Sequence, residues 1–430
     1  MTVRSLLVVG AGARQHALCW KLATEPGAKR VIAAPGNPLM SDVAELRADV
    51  SADDLDAVVA LALAERVDLV VVGPEDPLVA GLADRLAAAG VACFGPTAAC
   101  AQLEGSKAFA REVCDEAGVA MAKGRAFEDA ASAIAFAEAL GGRVVVKADG
   151  LALGKGVAMC PEQAAAEAAI RDALIDGRFG AAGRRVVVEE WLDGSEASVF
   201  ALCDGERYAL LPAARDHKRA FEGDTGPNTG GMGAYSPVDE LDDGAMLAIG
   251  ESVVAPVLAE MARRGTPYRG ALFCGLMLTK QGPRLLEFNV RLGDPETQAV
   301  LPRVNAVLGE LMLECADGRL TASGLLPTLP DATVALFLAA DGYPDTGRRG
   351  DPITGIDAAR AAGALVFGAG VAQGTDGGLV TAGGRVLTVV GRGATVGEAA
   401  DVAYSAAALI DYQGAWYRRD IGRSLAAAVA

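Results

Sequence analysis

The first hundred residues alternate short apolar runs with amphipathic stretches. The runs at residues 6–9, 31–34, 69–72 and 91–94 have the length of buried strands, and helical periodicity lies between them near 15–24, 53–65 and 78–89. Apolar strands separated by amphipathic helices pack as a parallel sheet with helices on both faces. The pattern therefore predicts an N-terminal, doubly wound parallel sheet.

The rest of the chain mixes both patterns. Strands are predicted at 144–147 and 185–190, helices at 106–117, 161–175 and 253–263, and a hairpin at 271–291. A polar, glycine-rich stretch at 216–237 is predicted to be a long loop, and such loops are usually functional or disordered. Short strands after a proline-containing linker at 325–332 predict a small, mostly β C-terminal domain, within a multidomain α/β and α+β chain.

Composition narrows the class of protein. Hydrophobic residues make up 52% of the 430 residues, and no apolar run is as long as a membrane span, so we expect no membrane partner. No signal-peptide pattern follows Met1. The net charge of −16 argues against nucleic-acid binding, which needs basic patches. The eight scattered cysteines indicate buried thiols in a reduced, cytoplasmic setting.

The second strand of the predicted hairpin carries the most informative polar pattern. Glu287, Asn289 and Arg291 alternate along it and therefore point to one face. A carboxylate and an amide oxygen suit a hard cation such as Mg²⁺, and the guanidinium suits phosphate oxygens. The alternative is an exposed polar strand face.

A second segment ends a buried strand with Lys147 and continues into the glycine-rich stretch 150–156, which contains Gly154, Lys155 and Gly156. A buried ammonium needs a partner, and a flexible glycine-rich segment could cover a polyphosphate as a mobile lid. The segment is not a P-loop. Further on, the backbone of 189–192 could read an adenine edge, and Glu196 could bind ribose hydroxyls; the alternative is a strand end with solvated acids.

The turn after the first strand contains Gly12 and Arg14, which could bind a phosphate at the start of a helix. A tight strand–helix turn is the alternative. A nicotinamide site is disfavoured because Gln15 replaces the third glycine of the dinucleotide fingerprint and no acidic residue ends the second strand. Glu75 follows the third strand, at the edge where such sheets bind ligands.

Taken in order, these segments resemble the glycinamide ribonucleotide synthetase family of the ATP-grasp superfamily. The resemblance is most specific at Asp224-Thr-Gly-Pro-Asn-Thr-Gly-Gly-Met-Gly-Ala-Tyr-Ser-Pro and at Glu287-Phe-Asn-Val-Arg-Leu-Gly-Asp-Pro-Glu-Thr-Gln. It implies a Rossmann-like domain at 1–103, an ATP-grasp domain at 104–326 with a small lid subdomain at about 122–190, and a C-terminal domain at 327–430.

The resemblance also implies an activity: ligation of glycine to 5-phosphoribosylamine with ATP and Mg²⁺ or Mn²⁺, in a monomer or weak homo-oligomer. Residue roles follow from it. Those implied for ATP are Lys107, Lys147, Gly154, Lys155, Gly156, Glu189, Glu190, Trp191, Leu192, Glu196, Arg219 and Asn228. Those implied for the metal are Glu287 and Asn289, for the acyl phosphate Arg291, for glycine Asp216, Arg291 and Asp294, and for the sugar phosphate Gly12, Arg14, Asn37 and Glu75.

Departures from the family pattern occur at Gln15, Gly368 and Ala382, where Glu, His and Asn are expected. Three other functions stay open. They are another ATP-grasp carboxylate–amine ligase, an NAD-dependent oxidoreductase and a non-catalytic nucleotide-binding protein.

Overall fold

The computed structural model describes residues 3–27, 30–151 and 156–423. Its N-terminal part is a parallel sheet in the order β3-β2-β1-β4-β5. The strands are β1 (Ser5–Gly10), β2 (Arg30–Pro35), β3 (Glu45–Leu46), β4 (Leu69–Val72) and β5 (Cys93–Phe94). The helices are α1 (Ala13–Thr24), α2 (Leu55–Glu65), α3 (Glu75–Val79), α4 (Leu82–Ala88) and α5 (Ala98–Gly105), with a 3₁₀ helix at Pro38–Asp42. The predicted doubly wound sheet is confirmed.

One predicted helix of this part was wrong. The stretch near 78–89 is divided between α3 and α4, because Gly81 between them has a φ of 91°. This left-handed backbone suits glycine and interrupts a right-handed helix.

A small antiparallel sheet in the order β6-β9-β7-β8 follows. Its strands are β6 (Gly124–Phe127), β7 (Val144–Ala148), β8 (Val157–Cys160) and β9 (Val186–Glu190). The accompanying helices are α6 (Lys107–Ala117), α7 (Ala130–Ala139) and α8 (Gln163–Leu174), with a 3₁₀ helix at Gly180–Gly183. Valine-rich β7 and β9 pack with α7 and α8 in a core of their own, so this sheet is a separate packing unit.

A larger sheet in the order β17-β16-β10-β11-β18 forms the centre of the chain. Its strands are β10 (Ser195–Asp204), β11 (Tyr208–Leu210), β16 (Arg269–Thr279), β17 (Gly282–Asn289) and β18 (Gly324–Leu325). The helical segments are α9 (Asp243–Ile249), a π-helix at Gly250–Val254, α10 (Ala255–Arg263), α11 (Glu296–Val300), a 3₁₀ helix at Leu301–Arg303 and α12 (Leu308–Asp317). The predicted hairpin is thus β16–β17.

The prediction of a long loop at 216–237 was wrong. The stretch contains β12 (Arg215–Asp216), β13 (Arg219–Phe221), β14 (Thr225–Asn228) and β15 (Gly233–Ser236). β13 and β14 form a hairpin, and β12 and β15 join the C-terminal sheet, whose order is β12-β15-β19-β23-β20. The polar side chains of this stretch hid its strands, and one of them, β15, pairs with β19, which is far away in sequence.

The C-terminal part is built on that antiparallel sheet. Its own strands are β19 (Ala332–Ala339), β20 (Leu365–Gly368), β21 (Val371–Gln373), β22 (Leu379–Thr381) and β23 (Arg385–Gly393). Two helices, α13 (Ile356–Ala361) and α14 (Val396–Ala407), complete it. β21 and β22 pair only with each other among the described strands.

The helix predicted at 253–263 is confirmed as part of a longer continuous helical stretch from α9 to α10, Asp243–Arg263, whose first residues the sequence analysis missed. Its 21 residues are long and apolar enough to span a membrane by length and composition alone, and 50% of its most apolar window is buried in the protein. Val254, Val257 and Met261 are fully buried in the core that includes the N-terminal sheet. This helix therefore packs as part of the fold.

Phe367 of β20 joins the C-terminal part to α1. It is 2% exposed, and its ring centroid lies 5.3 Å from that of His16 and 5.9 Å from that of Trp20. We expect Phe367→Ala to lower the free energy of unfolding by about 3–5 kcal/mol, because the buried ring leaves a cavity. Phe221→Ala, at a 50% exposed ring, is the control and should cost much less. Thermal and urea unfolding measure both; equal losses would contradict this packing role.

Candidate active site

A cavity of about 410 Å³ lies where four parts of the protein meet. They are the N-terminal part, the small sheet β6-β9-β7-β8, the larger sheet that contains β17, and the C-terminal part. Ten of the residues singled out from the sequence line it: Arg14, Glu75, Lys107, Lys147, Gly156, Glu189, Glu287, Asn289, Arg291 and Asp294. The fold thus brings together segments nearly 300 residues apart in sequence.

On the small-sheet side, the buried lysine of β7 has the partner that its burial requires. Lys147 Nζ lies 2.7 Å from Glu189 Oε2 and donates to Leu286 O at 2.9 Å. Glu189 Oε1 accepts from Arg111 Nη2 at 2.6 Å. Burial would raise the pKa of Glu189, but Lys147 and Arg111 outweigh it and lower the pKa. The carboxylate stays ionised between two cations.

Next to this triad the cavity wall is apolar, with Ala110, Met121, Val157 and Leu285. Such a slot suits a flat aromatic base. Glu190, Trp191 and Leu192 are not among the cavity-lining residues. Glu190 Oε1 accepts from Lys123 N at 2.8 Å, and the Trp191 ring stacks 4.4 Å from the guanidinium of Arg143.

Glu287 and Asn289 of β17 and Arg291 just after it all line the cavity, as the sequence analysis expected of their side chains. Asn289 Nδ2 donates to Phe288 O at 2.7 Å, which leaves the amide oxygen as an acceptor. Burial would raise the pKa of Glu287, but Lys218, Lys147 and Lys107 lower it below its ordinary value. Glu287 is therefore a carboxylate, as a metal ligand must be.

Lys218 lies among three carboxylates, and the sequence analysis gave it no role. Its Nζ is 3.1 Å from Glu196 Oε2, 3.5 Å from Glu287 Oε1 and 3.9 Å from Asp216 Oδ2. Burial raises the pKa of Asp216 to about 7, although Lys218 opposes the shift. Lys218 thus holds Glu196, which is predicted to bind ribose, next to Glu287, which is predicted to bind the metal.

On the N-terminal side, Arg291 lies between two carboxylates. Arg291 Nε donates to Glu75 Oε2 at 3.1 Å, and Nη2 donates to Glu104 Oε1 at 2.9 Å. Burial would raise the pKa of Glu75, but Arg291 and Arg14 lower it to about 2, whereas burial raises the pKa of Glu104 to about 7. Arg14 Nη1 donates to Leu292 O at 3.0 Å and its Nη2 is 3.6 Å from Glu75.

The C-terminal part contributes Tyr343 and Arg385, which the sequence analysis missed. Arg385 Nη2 lies 3.0 Å from Asp294 Oδ2, and Nη1 donates to Gly230 O at 2.6 Å. Its guanidinium also lies 4.2 Å from the centroid of Phe337. The sequence offered a weak signal, because Arg385 follows a glycine pair that indicated only a turn.

Other residues singled out from the sequence lie outside the cavity lining. Gly12 N donates to Gln15 Oε1 at 3.0 Å, and Asn37 Nδ2 donates to Ala11 O at 2.6 Å and Gly368 O at 2.9 Å. Arg219 pairs with Asn228 across the β13–β14 hairpin, and its Nη1 donates to Gly226 O at 2.7 Å. Gly154 and Lys155 lie outside the described residues, as does most of the glycine-rich stretch 150–156 that was predicted to be a mobile lid.

The chain matches three sequence families along its length. They are phosphoribosylglycinamide synthetase, N domain (residues 4–104), its ATP-grasp (A) domain (105–297) and its C domain (333–424). It is 49% identical to a phosphoribosylamine--glycine ligase of Caulobacter vibrioides, with 97% of each chain covered. It is 44% identical to the trifunctional purine biosynthetic protein adenosine-3 of Gallus gallus, covering 97% of this chain and 42% of that protein.

Comparison with solved structures supports the same family. The crystal structure of a phosphoribosylamine--glycine ligase from Thermotoga maritima has a TM-score of 0.84 and 31% identity, covering 97% of this chain and 99% of that chain. The biotin carboxylase domain of a 2-oxoglutarate carboxylase from Hydrogenobacter thermophilus has a TM-score of 0.70 at 17% identity, covering 97% and 92%. That second similarity concerns the fold alone.

Glu189→Gln tests the buried triad. The change leaves two buried cations without a carboxylate, so we expect a loss of about 3–5 kcal/mol in the free energy of unfolding. Because the folded-state pKa of Glu189 is lowered, its stabilisation is present above the unfolded-state pKa and is lost as the pH falls toward the folded-state value. Urea unfolding between pH 7 and pH 3 should therefore show a difference from the wild type that is constant above about pH 5 and shrinks below the ordinary pKa of 4.5. A difference that stays constant down to pH 3 would contradict the ionised triad.

Proposed function

Because the chain belongs to the phosphoribosylglycinamide synthetase family, we infer that its cavity is where glycine is joined to 5-phosphoribosylamine. The reaction converts ATP, glycine and 5-phosphoribosylamine to glycinamide ribonucleotide, ADP and phosphate, in purine biosynthesis. It is an ATP-dependent carbon–nitrogen ligation.

One observation supports this function most directly. A single cavity is lined at one side by Lys107, Lys147, Glu287 and Asn289, and at the other by Arg14 and Arg291. The first side suits a nucleotide polyphosphate, and the second suits a further anion such as a sugar phosphate. A ligase that joins substrates with ATP needs both of these binding sites in one cavity, so that the reacting groups are held together.

The chemistry needs no nucleophile from the protein. A carboxylate oxygen of glycine attacks the γ-phosphorus of ATP, and ADP leaves. The amine nitrogen of phosphoribosylamine then attacks the carbonyl carbon of the glycyl phosphate, phosphate leaves, and the nitrogen loses a proton. Catalysis consists of positioning and charge neutralisation. We assign Arg291 to the transferred phosphoryl group, and Asp216, Arg291 and Asp294 to glycine.

Glu287 and Asn289 fit a magnesium ion. Mg²⁺ is usually bound by one or two protein oxygen ligands together with water and substrate phosphates. The described residues hold no cluster of three or more His, Cys, Asp or Glu side chains suited to a metal, which agrees with so sparse a set. Mg²⁺ there would neutralise charge that develops on the phosphates. Mn²⁺, also a hard divalent cation, is proposed as a substitute.

We assign the nucleotide to the small-sheet side. Lys107 and Lys147 face its phosphates, and the glycine-rich stretch 150–156, including Gly154, Lys155 and Gly156, is proposed to cover them. The adenine is assigned to the apolar slot and the strand end 189–192, and the ribose to Glu196. Arg219 and Asn228 remain proposed nucleotide contacts.

The sugar phosphate is assigned to the N-terminal side, at Gly12, Arg14, Asn37 and Glu75. An NAD-dependent oxidoreductase is disfavoured, since Gln15 replaces the third glycine of the dinucleotide fingerprint and its side chain packs against Gly10 and Gly73. A Cβ at Gly73 would lie 2.2 Å from Gln15 Nε2 and one at Gly10 would lie 2.9 Å from Gln15 Cγ.

Release of phosphate from ATP tests the function as a whole. We expect release only when glycine and 5-phosphoribosylamine are both present. Release with another carboxylate or amine would favour a different ATP-grasp ligase, and nucleotide binding without turnover would favour a non-catalytic protein.

Three further proposals concern setting and organisation. The eight free cysteines support a reduced, cytoplasmic setting, and the net charge of −16 supports a protein without nucleic-acid partners. We also propose that it has no membrane partner. We propose a monomer or weak homo-oligomer. The proposed domain limits remain 1–103, 104–326 with a lid at about 122–190, and 327–430.

Glu287→Gln tests the metal assignment. The neutral amide is a poorer ligand for a hard cation, and metal neutralisation contributes several kcal/mol, so we expect kcat to fall by about 100-fold or more. Glu116→Gln is the control, since Glu116 pairs with Arg263 and Arg264 away from the cavity. Steady-state kinetics at several Mg²⁺ concentrations, with thermal unfolding alongside, would contradict the assignment if Glu287→Gln behaved like the control.

Arg14→Ala tests the sugar-phosphate assignment. A lost charge-assisted hydrogen bond of about 1.5–3 kcal/mol corresponds to a rise of about 10- to 100-fold in KM for 5-phosphoribosylamine. KM for ATP should stay within about twofold, because a remote anchor contributes binding to that substrate alone. Arg47→Ala, which removes the partner of Glu65 in the same part of the chain, is the control. A change confined to KM for ATP would overturn the assignment.

A further inference from the structure

The segment 418–420 near the C-terminus lies behind the β13–β14 hairpin and is bonded to it. Arg418 is 1% exposed, and its Nε and Nη2 donate to the two oxygens of Asp420 at 2.8 and 2.6 Å. Its Nη1 donates to Arg219 O at 2.9 Å and to Asp224 Oδ1 at 2.8 Å. Arg418 therefore connects the C-terminal segment to the first residue of β13 and to the turn between β13 and β14.

Neighbouring contacts strengthen this connection. Gly223 N donates to Asp420 Oδ2 at 2.9 Å, and Arg419 N donates to Glu222 Oε1 at 3.1 Å. Asp224 has a φ of 52°, which is uncommon for a residue with a side chain and persists where surrounding contacts hold it. The turn of the hairpin is thus fixed by polar contacts from a segment almost 200 residues away in sequence.

The two residues just before the hairpin, His217 and Lys218, lie between Arg418 and the active site. Arg418 Nη2 lies 3.3 Å from His217 Nδ1, whereas Lys218 points toward Glu196, Asp216 and the cavity-lining Glu287. The next residue, Arg219, starts β13, and its carbonyl oxygen accepts a hydrogen bond from Arg418. The position of Lys218 is therefore coupled to the contacts that His217 and Arg219 make with Arg418.

We propose that Arg418 is a positioning residue for the ATP half of the site. It holds the hairpin so that Lys218 keeps Glu196 and Glu287 together, at the places assigned to ribose and metal. The C-terminal segment acts through Lys218 and touches no substrate. The inference rests on the proposed function for these two assignments.

Arg418→Lys is the first test, because it keeps the charge but loses the planar fork that meets Asp420 and Asp224 together. We expect KM for Mg·ATP to rise at least tenfold, with KM for 5-phosphoribosylamine within twofold of the wild type. Arg423→Lys is the matched control, since Arg423 lies five residues on, pairs with Asp401 and stacks on Tyr404. Unchanged constants in a folded Arg418→Lys protein would overturn the proposal.

Limited trypsin digestion gives a readout that does not depend on turnover. Cleavage after Lys218 and Arg219 should be at least fivefold faster in Arg418→Lys than in the wild type, and Mg·ADP should protect the wild type better than the variant. Equal cleavage and equal protection would overturn the proposal. Should the wild type release no phosphate with glycine and 5-phosphoribosylamine, the proposed function fails, whereas the digestion still tests the hairpin contact.

Asp224→Asn covers the case in which Arg418 variants do not fold. The Asp224 side chain is 61% exposed, and asparagine tolerates a positive φ, so the change removes mainly the charge that meets Arg418. We expect a rise of about threefold in KM for Mg·ATP, by the loss of one charged contact of several. An unchanged KM for Mg·ATP would overturn the proposal.

A double-mutant cycle tests the route through Lys218. In the background of Lys218→Met, Arg418→Lys should raise KM for Mg·ATP only slightly. Full additivity of the two effects on KM would show that Arg418 does not act through Lys218.

Discussion

The neutralisation of Arg291 is the constraint on which the geometry of the cavity depends. Its guanidinium comes from the residues just after β17 and meets Glu75 at the start of α3 and Glu104 at the end of α5. Glu104 Oε2 also accepts from Val290 N at 2.8 Å. Because each of these buried charges is costly without the others, the end of β17 is fixed against the N-terminal part. The face of the strand that we propose for the metal is fixed with it.

The sequence predicted those features whose signal is local. The apolar runs predicted the parallel sheet, and the alternation of Glu287, Asn289 and Arg291 predicted a shared face. Lys218 and Arg385 could not be assigned in this way, because what gives them a role is a partner far away in the chain. Among the strands inside 216–237, β15 was missed for the same reason, since it pairs with β19. β13 and β14 pair with each other and were missed because their sequence is polar and rich in glycine.

The departures at Gln15, Gly368 and Ala382 have a shared location that the sequence did not reveal. A Cβ at Gly368 would lie 2.8 Å from Asn37 Oδ1, and Gly368 N donates to His16 Nδ1 at 2.9 Å. Ala382 N donates to Gly370 O at 2.7 Å. Small residues here let β20 and the following turn approach the first helix closely. The Gln15 side chain lies over Gly73 and is next in the chain to Arg14, which lines the cavity.

An acidic chain that handles anionic substrates needs its cations held locally. Beyond about 10 Å, surface carboxylates are largely screened at physiological salt, so the net charge of −16 does little inside the cavity. There, each main cation is fixed by a carboxylate: Lys147 by Glu189, Arg291 by Glu75 and Glu104, and Arg385 by Asp294. These pairs keep the donors in place before a phosphate arrives, so little reorganisation is needed when charge develops during the reaction. Glu287, whose nearest cation is Lys218 at 3.5 Å, is paired less tightly than Glu189, Glu75, Glu104 and Asp294, and is therefore the one of these carboxylates best able to accept a metal.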